Sequence, residues 1–475
     1  MQYISTRGQM APAGFCQILL DGLAPDGGLV VPEVIPSVSA AQRERWRELT
    51  YPELAAAVIG LYATDIPEAD LAALTAAAYS EKNFPTAGTV PLTRLNPSLY
   101  LVGLSEGPTM AFKDLAMQFL GQAVPYVLAR EGRVLNILGA TSGDTGSAAE
   151  YAFRGRSNVS VFMLSPAGRM SAVQRAQMYS LTDPNIHNIA VDGVFDDCQN
   201  IVKAINGNAA FKQANSIGAV NSINFGRIAA QIVYYFWAWL RITDGVAPAE
   251  RDDVRVNFTV PSGNFGNIYA GHLARRMGLP IGRLILATNE NNVLDEFFRT
   301  GVYVPRSREN TLATSSPSMD ISKASNLERF IWELLGPEEF QVRWPELERS
   351  GRLDLSSWQS RLTDEYGFVS GASSHADRLA AIRSVFDECG VLIDPHTADG
   401  ITVARRHVND GGSVTLVLET AKAAKFGDTV AEALGDRAPA QSPVIAELLA
   451  RPQHLVEAPN SAQAVSDYLA DHALR

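Results

Sequence analysis

Short apolar runs alternate with amphipathic stretches through most of the chain, starting near residue 134. Val134–Leu138, Val159–Leu164, Ile186–Val191, Val254–Val260, Ile281–Ala287 and Val414–Leu418 have strand length and are rich in aliphatic residues. Ser171–Leu181, Cys198–Ala209 and Ile268–Met277 carry apolar residues at helical spacing, and Gly278 and Pro280 close the last of them. Strand, short loop and helix, repeated, predict an α/β fold with mainly parallel sheets covered on both faces. Two such blocks place a ligand crevice between them. The most apolar stretch, Ile228–Leu240, is too short to span a bilayer and reads as a buried helix.

The flanking regions differ. Residues 1–85 form a mostly helical N-terminal segment, with a turn at Pro25–Gly28, a short strand at Leu29–Val31, and helices over Trp46–Leu61 and Asp70–Tyr79. Pro85–Pro91 has linker composition. The expected division is a smaller α/β domain over 86–215, a larger one over 216–430, and a helical C-terminal tail over 431–475. Residues 306–375 contain polar loops and two or three helices. No internal repeat is evident.

Composition narrows the function classes. A chain of 475 residues is too long for one small core. A net charge of −11 argues against nucleic-acid binding. Cys16, Cys198 and Cys389 are far apart, so neither a disulfide framework nor a thiolate metal site is expected. No metal cluster is expected, and no membrane partner. The first seven residues lack a signal-peptide pattern, so a cytoplasmic protein is expected.

Four segments carry candidate chemistry. In Gly107-Pro-Thr-Met-Ala-Phe-Lys-Asp114, Lys113 stands where a loop becomes an amphipathic run. A helix N-terminus and partial burial both favour the neutral amine that carbonyl chemistry needs. In Ala140-Thr-Ser-Gly-Asp-Thr-Gly146, a strand turns into a helix through Thr141, Ser142, Gly143, Asp144 and Thr145. Four hydrogen-bonding side chains in five residues exceed what one helix cap requires, and the turn suits a carboxylate or phosphate. In Pro261-Ser-Gly-Asn-Phe-Gly-Asn267, Gly263 and Gly266 let successive N–H groups face one anion, with Asn264, Phe265 and Asn267 between and beside them. This turn is neither a Walker loop nor a dinucleotide fingerprint, so an isolated phosphate group fits better. In Asn221-Ser-Ile-Asn-Phe-Gly-Arg227, Asn221, Ser222 and Arg227 make a phosphate clamp, or else an arginine held by asparagines on a loop. Beyond these, Thr420 ends a strand on the face where such sheets bind ligands. His396 has no partner at triad or metal-ligand spacing, and Ser315–Ile321 reads as an ordered loop near the crevice.

Together these segments resemble the β-family (fold type II) of pyridoxal-phosphate enzymes. Within it the chain resembles the bacterial and fungal threonine synthases along nearly its whole length. GLAPDGGLVVP at 22–32, GPTMAFKD, ATSGDTG, NSINFGR, PSGNFGN, ATNEN at 287–291, SPSMDIS at 316–322 and DPHTADG at 394–400 carry the resemblance. It implies a lyase converting O-phospho-L-homoserine and water to L-threonine and phosphate by γ-elimination and β-addition of water, as a monomer or small homo-oligomer. Lys113 would hold pyridoxal 5′-phosphate as a Schiff base and move protons at Cα and Cβ. Residues 263–267 would hold the cofactor phosphate, and Thr420 would face the pyridine nitrogen. The 141–145 loop would take the substrate carboxylate. Asn221, Ser222 and Arg227, with Asn267, would grip the substrate phosphate. Ala423 stands where the family usually has proline, so a looser loop after Thr420 is expected. A phospho-lyase giving 2-oxobutyrate, a serine or threonine dehydratase, and a non-catalytic relative of the same fold are the rival readings.

Overall fold

A computed structural model of the chain describes residues 1–85, 88–408 and 413–475. Residues 86 and 87 of the expected 85–91 linker lie outside them. The architecture is α/β, with two main sheets that are parallel apart from one edge strand, and two small antiparallel pairs, Tyr3–Ser5 with Val30–Pro32 and Val302–Tyr303 with Leu353–Asp354. The larger sheet has the order Phe368–Ala372, Ile281–Thr288, Val256–Pro261, Thr415–Glu419, Leu99–Gly103 and Leu92–Asn96. Only the last strand runs antiparallel to its neighbour. The smaller sheet has the order Val456–Ala458, Ile186–Val191, Val159–Pro166, Leu135–Ala140 and Ile217–Gly218, all parallel.

The central strands are apolar throughout because helices cover both faces. Every residue of Val159–Pro166 and of Val256–Pro261 is buried. The helix Phe225–Ile242 is the hub of the main core: only Trp237, Arg241 and Ile242 escape full burial. Its Tyr235 ring packs against Phe258 of the larger sheet, and its N-terminal turn reaches the crevice. Burying one large apolar side chain contributes about 1.5–3 kcal/mol, so this helix is a major source of the free energy that fixes the crevice walls.

Strand pairing crosses the boundaries read from chain order. Leu92–Asn96 and Leu99–Gly103, expected with the smaller domain, belong to the larger sheet. Ile217–Gly218, expected with the larger domain, edges the smaller sheet. The tail 431–475 has helices Pro443–Ala450 and Ala462–His472, but Val456–Ala458 between them adds a strand beside Ile189–Val191. The expected helix Trp46–Leu61 is two helices, Ala40–Trp46 and Tyr51–Gly60. The break is chemical: Glu53 accepts from the Thr50 N–H at 2.8 Å, a capping box that starts the second helix, with Pro52 in its first turn. Residues 306–375 hold the helices Leu327–Leu335, Pro337–Ser350 and Gln359–Asp364, and the edge strand Phe368–Ala372. Among the described residues no helix is long and apolar enough to cross a membrane, and no group of three or more His, Cys, Asp and Glu could hold a metal ion.

Candidate active site

Three strand ends of the larger sheet stand side by side at its carboxyl edge, where such sheets bind ligands. Val256–Pro261 leads into the 261–267 turn, Thr415–Glu419 into Thr420, and Leu99–Gly103 into the loop before Lys113. The last two are stitched together: Phe112 N–H donates to the Thr420 carbonyl at 2.9 Å, and Lys422 N–H to the Met110 carbonyl at 3.2 Å. Met110 is held at φ 56°, a left-handed conformation uncommon for its type. Asp114 anchors the same loop, accepting from the Thr109 N–H at 2.8 Å and hydroxyl at 2.7 Å. Burial pushes its carboxyl up to about 6, against the pull of those hydrogen bonds. A Cβ on Gly107 would lie 2.5 Å from that of Asp114, so glycine is required there.

Lys113 opens the helix Lys113–Glu131, and its Nζ lies 3.5 Å from Asp144 Oδ2. Burial lowers its pKa; Asp144 opposes this, while Lys425 and Arg227 reinforce it. Asp144 opens the helix Asp144–Phe153. Its Oδ1 accepts from Lys425 Nζ at 2.7 Å and Gln174 Nε2 at 3.2 Å, and its Oδ2 from Ser318 Oγ at 2.7 Å. Burial alone would raise this carboxyl, but the two lysines hold it well below the usual carboxylate range. Asp144 is therefore committed to protein cations and donors, and as an anion it repels a substrate carboxylate. Thr141 Oγ1 accepts from the N–H groups of Gly143 and Gly146 at 2.9 and 3.0 Å, bracing the turn. Ser142 is exposed and Thr145 half-buried, and these hydroxyls remain nearest to solvent.

The 261–267 turn reverses direction at Phe265, which adopts φ 64°. Its ring points inward, 5.7 Å from Phe298 and 5.9 Å from both Phe330 and Phe368. The side chain is therefore a core anchor, and only the backbone here can meet a ligand. Gly266 and Asn267 lie in the first turn of the helix Gly266–Arg276, where N–H groups have no intrahelical acceptor. Asn267 Oδ1 accepts from Tyr234 Oη at 2.5 Å and Tyr235 Oη at 3.1 Å, while its buried Nδ2 has no partner among the described residues. The same holds for the buried Ser262 Oγ. Asn264 donates to the Ser222 hydroxyl, tying this turn to the 221–227 segment. Asn326 Nδ2 bridges both, 3.2 Å from the carbonyls of Ser222 and Asn264.

In the 221–227 segment, Asn221 Oδ1 accepts from the Ile223 N–H at 3.2 Å, and Asn224 caps the helix Phe225–Ile242. Arg227 is 3% exposed, its Nη1 is buried, and among the described residues its guanidinium has no hydrogen bond or ion pair. Burial pushes its pKa down to about 10. Leaving a charge buried and uncompensated costs several kcal/mol. A bound anion offsets this, since each charge-assisted hydrogen bond contributes about 1.5–3 kcal/mol.

Sequence reasoning gave no role to Lys425 or Ser318. Lys425 lies five residues past Thr420, which draws attention first. Ser318 and His396 prove to be coupled: His396 Nε2 accepts from the Ser318 N–H at 3.1 Å, and its Nδ1 faces Asp394 Oδ1 at 2.7 Å. Asp320 secures the same loop, accepting from Asn289 and Asn291 at 2.9 Å and from the Thr314 hydroxyl at 2.7 Å. Ala423 is buried in a short 3-10 turn, Ala423–Phe426, so the loop after Thr420 is packed rather than slack.

Three family models tile the chain. One described as threonine synthase N terminus matches residues 2–79, one for pyridoxal-phosphate-dependent enzymes matches 85–343, and one for the threonine synthase C-terminal region matches 397–469. Threonine synthase of Corynebacterium glutamicum is 53% identical, covering 99% of this chain and 98% of its own. That of Methylobacillus glycogenes is 50% identical, covering 99% and 100%. The crystal structure of PLP-bound threonine synthase from Brucella melitensis superposes with a TM-score of 0.94 at 40% identity, covering all of both chains. Likeness of this extent in both sequence and fold means that the chain belongs to the threonine synthase family of pyridoxal-phosphate-dependent enzymes.

Proposed function

We propose that this chain converts O-phospho-L-homoserine and water to L-threonine and phosphate, using pyridoxal 5′-phosphate held by Lys113. The observation that carries the reading is Arg227, a buried guanidinium at the crevice without a counter-anion among the described residues. A dehydratase acting on serine or threonine has no phosphate to place there.

The residues present fit the cofactor. A lysine biased by burial toward its neutral form follows Phe112, which bonds to Thr420, and the neighbouring strand leads into a glycine turn where, among the described residues, the Ser262 hydroxyl and Asn267 Nδ2 have no partner. The N–H groups of 263–267 would take the cofactor phosphate, and Thr420 would meet the ring nitrogen without charging it. Bound there, the cofactor supplies an electron-withdrawing ring that lowers the barrier to removing protons from the attached amino acid.

The chain's own groups then have definite tasks. The Lys113 amine takes the proton from Cα and, once that proton has passed to the bound phosphate, takes one from Cβ. Backbone N–H groups of the 141–145 turn, with Ser142 and Thr145, hold the substrate carboxylate. Arg227, Asn221 and Ser222 bind the phosphate and stabilise its growing charge as the Cγ–O bond breaks. Water adds at Cβ, and protons return to the carbon chain from Lys113. A monomer or small homo-oligomer in the cytoplasm is the setting that goes with this reading.

Incubating the purified protein with phosphohomoserine tests it, with phosphate, threonine and 2-oxobutyrate measured together. Equal release of phosphate and threonine is expected. Phosphate with 2-oxobutyrate in place of threonine would make the chain a phospho-lyase instead.

A further inference from the structure

Lys425 belongs to none of the motifs assigned above, yet its side chain is only 1% exposed and its Nζ reaches two of them. It donates to Asp144 Oδ1 at 2.7 Å and to the Thr109 carbonyl at 3.1 Å. It therefore joins the strand end bearing Thr420, the loop leading to Lys113, and the glycine turn at 140–146.

Asp144 must serve two buried amines. Lys425 holds Oδ1 directly, with Gln174 beside it, and Ser318 occupies Oδ2 at 2.7 Å. The contact to Lys113 is the longest of the four, at 3.5 Å. The other groups facing Lys113 are Arg227, a further cation, and the Phe112 ring, whose centroid is 5.7 Å from Nζ. Asp114, next in sequence, turns its carboxylate to Thr109. With one carboxylate already taken by its nearer lysine, a proton on Lys113 adds a poorly compensated charge to a desolvated site.

We propose that Lys425 is a positioning residue that keeps Lys113 an uncharged, nucleophilic amine by holding Asp144 for itself. The inference rests on the reading of Lys113 as the cofactor-bearing lysine. Through Thr109, Lys425 also ties the height of the Lys113 loop to the position of Asp144, so the two functions share one ammonium group.

The test uses the full chain freed of cofactor. Trace acetylation across neutral to alkaline pH, read by peptide mass spectrometry, gives the titration of Lys113 without any turnover. Lys425→Met releases Asp144 to Lys113 and is expected to move that titration up by about one unit, an about tenfold fall in Lys113 reactivity near neutral pH. Lys425→Arg should restore the wild-type profile. Lys425→Gln, uncharged but still able to donate, should move it upward like Lys425→Met, and it carries the test if Lys425→Met does not fold. An unmoved Lys113 titration in the folded variants would overturn the proposal. Borohydride trapping of pyridoxal phosphate on the wild-type chain separates the two ideas: a label on another lysine would sink the reading of Lys113 itself.

Discussion

Ser318 and Asp144 meet across the crevice, the hydroxyl donating to Oδ2 at 2.7 Å. This bond joins the 315–321 loop, anchored on the larger sheet through Asp320, to the first residue of a helix in the smaller one. A hydrogen bond to a charged group contributes about 1.5–3 kcal/mol. Ser318→Ala should therefore raise local opening of the loop by about tenfold or more while the fold persists. Hydrogen exchange at Met319 and Asp320, whose N–H groups bond to Ser316 and Pro317, reads this directly. Exchange as slow as in the wild type would mean that the loop is held by Asp320 and His396 alone.

Arg227 makes opposite predictions for stability and for binding. Its guanidinium is buried without an anion among the described residues, so Arg227→Met removes an unfavourable burial and keeps most of the volume. The ligand-free variant should melt no lower than the wild type. Use of phosphohomoserine should fall by about thirtyfold or more, since losing a buried charge partner costs about 2–5 kcal/mol. Cofactor absorbance should change little. Equal loss of cofactor and substrate binding would move Arg227 to the cofactor phosphate.

Phe265 sets packing against backbone strain. Its left-handed φ of 64° costs about 1–3 kcal/mol for a residue with a Cβ. Its ring fills the cluster of Phe298, Phe330 and Phe368, and truncating a buried phenylalanine costs about 3–5 kcal/mol. Packing wins, so Phe265→Gly should lower the melting temperature although it relieves the backbone. A variant as stable as the wild type would show that strain governs this corner.

These two residues also mark how far the sequence could be read. The strands and the glycine turns were legible because their signals are local: an apolar run, then a corner rich in Gly, Asn and Ser. Phe265 was legible as part of a turn but not as a core residue, because its inward direction depends on a left-handed φ and on partners up to 103 residues away, such as Phe368. The edge strands Leu92–Asn96, Phe368–Ala372 and Val456–Ala458 escaped notice because edges are short or half exposed and lack clear alternation, and the interior strand Leu99–Gly103 was missed with its edge neighbour. Asp144 looked like one more hydrogen-bonding side chain in a polar turn. Its role emerges only where Lys113, Lys425 and Ser318 converge from distant parts of the chain.

Asp399 gives the clearest dependence of stability on pH. Burial raises its pKa from 3.8 to about 7, with Arg378 opposing at 3.0 Å. That arginine is shared with both oxygens of Glu290, at 2.7 and 2.9 Å, which dilutes its pull. A raised carboxyl pKa means that the folded state binds the proton more tightly than the unfolded one. Its contribution is therefore full below pH 3.8 and is lost as pH rises through about 7. The span corresponds to at most about 4 kcal/mol. Asp399→Asn keeps an oxygen for Arg378 and removes the charge that burial penalises. The variant should gain stability relative to the wild type as pH rises from about 4 to 7, and the gap should level off above that. Denaturant unfolding of both proteins at acid, neutral and alkaline pH measures it. Parallel stability curves would show that Asp399 stays ionised throughout and that Arg378, despite its division with Glu290, suffices to hold it so.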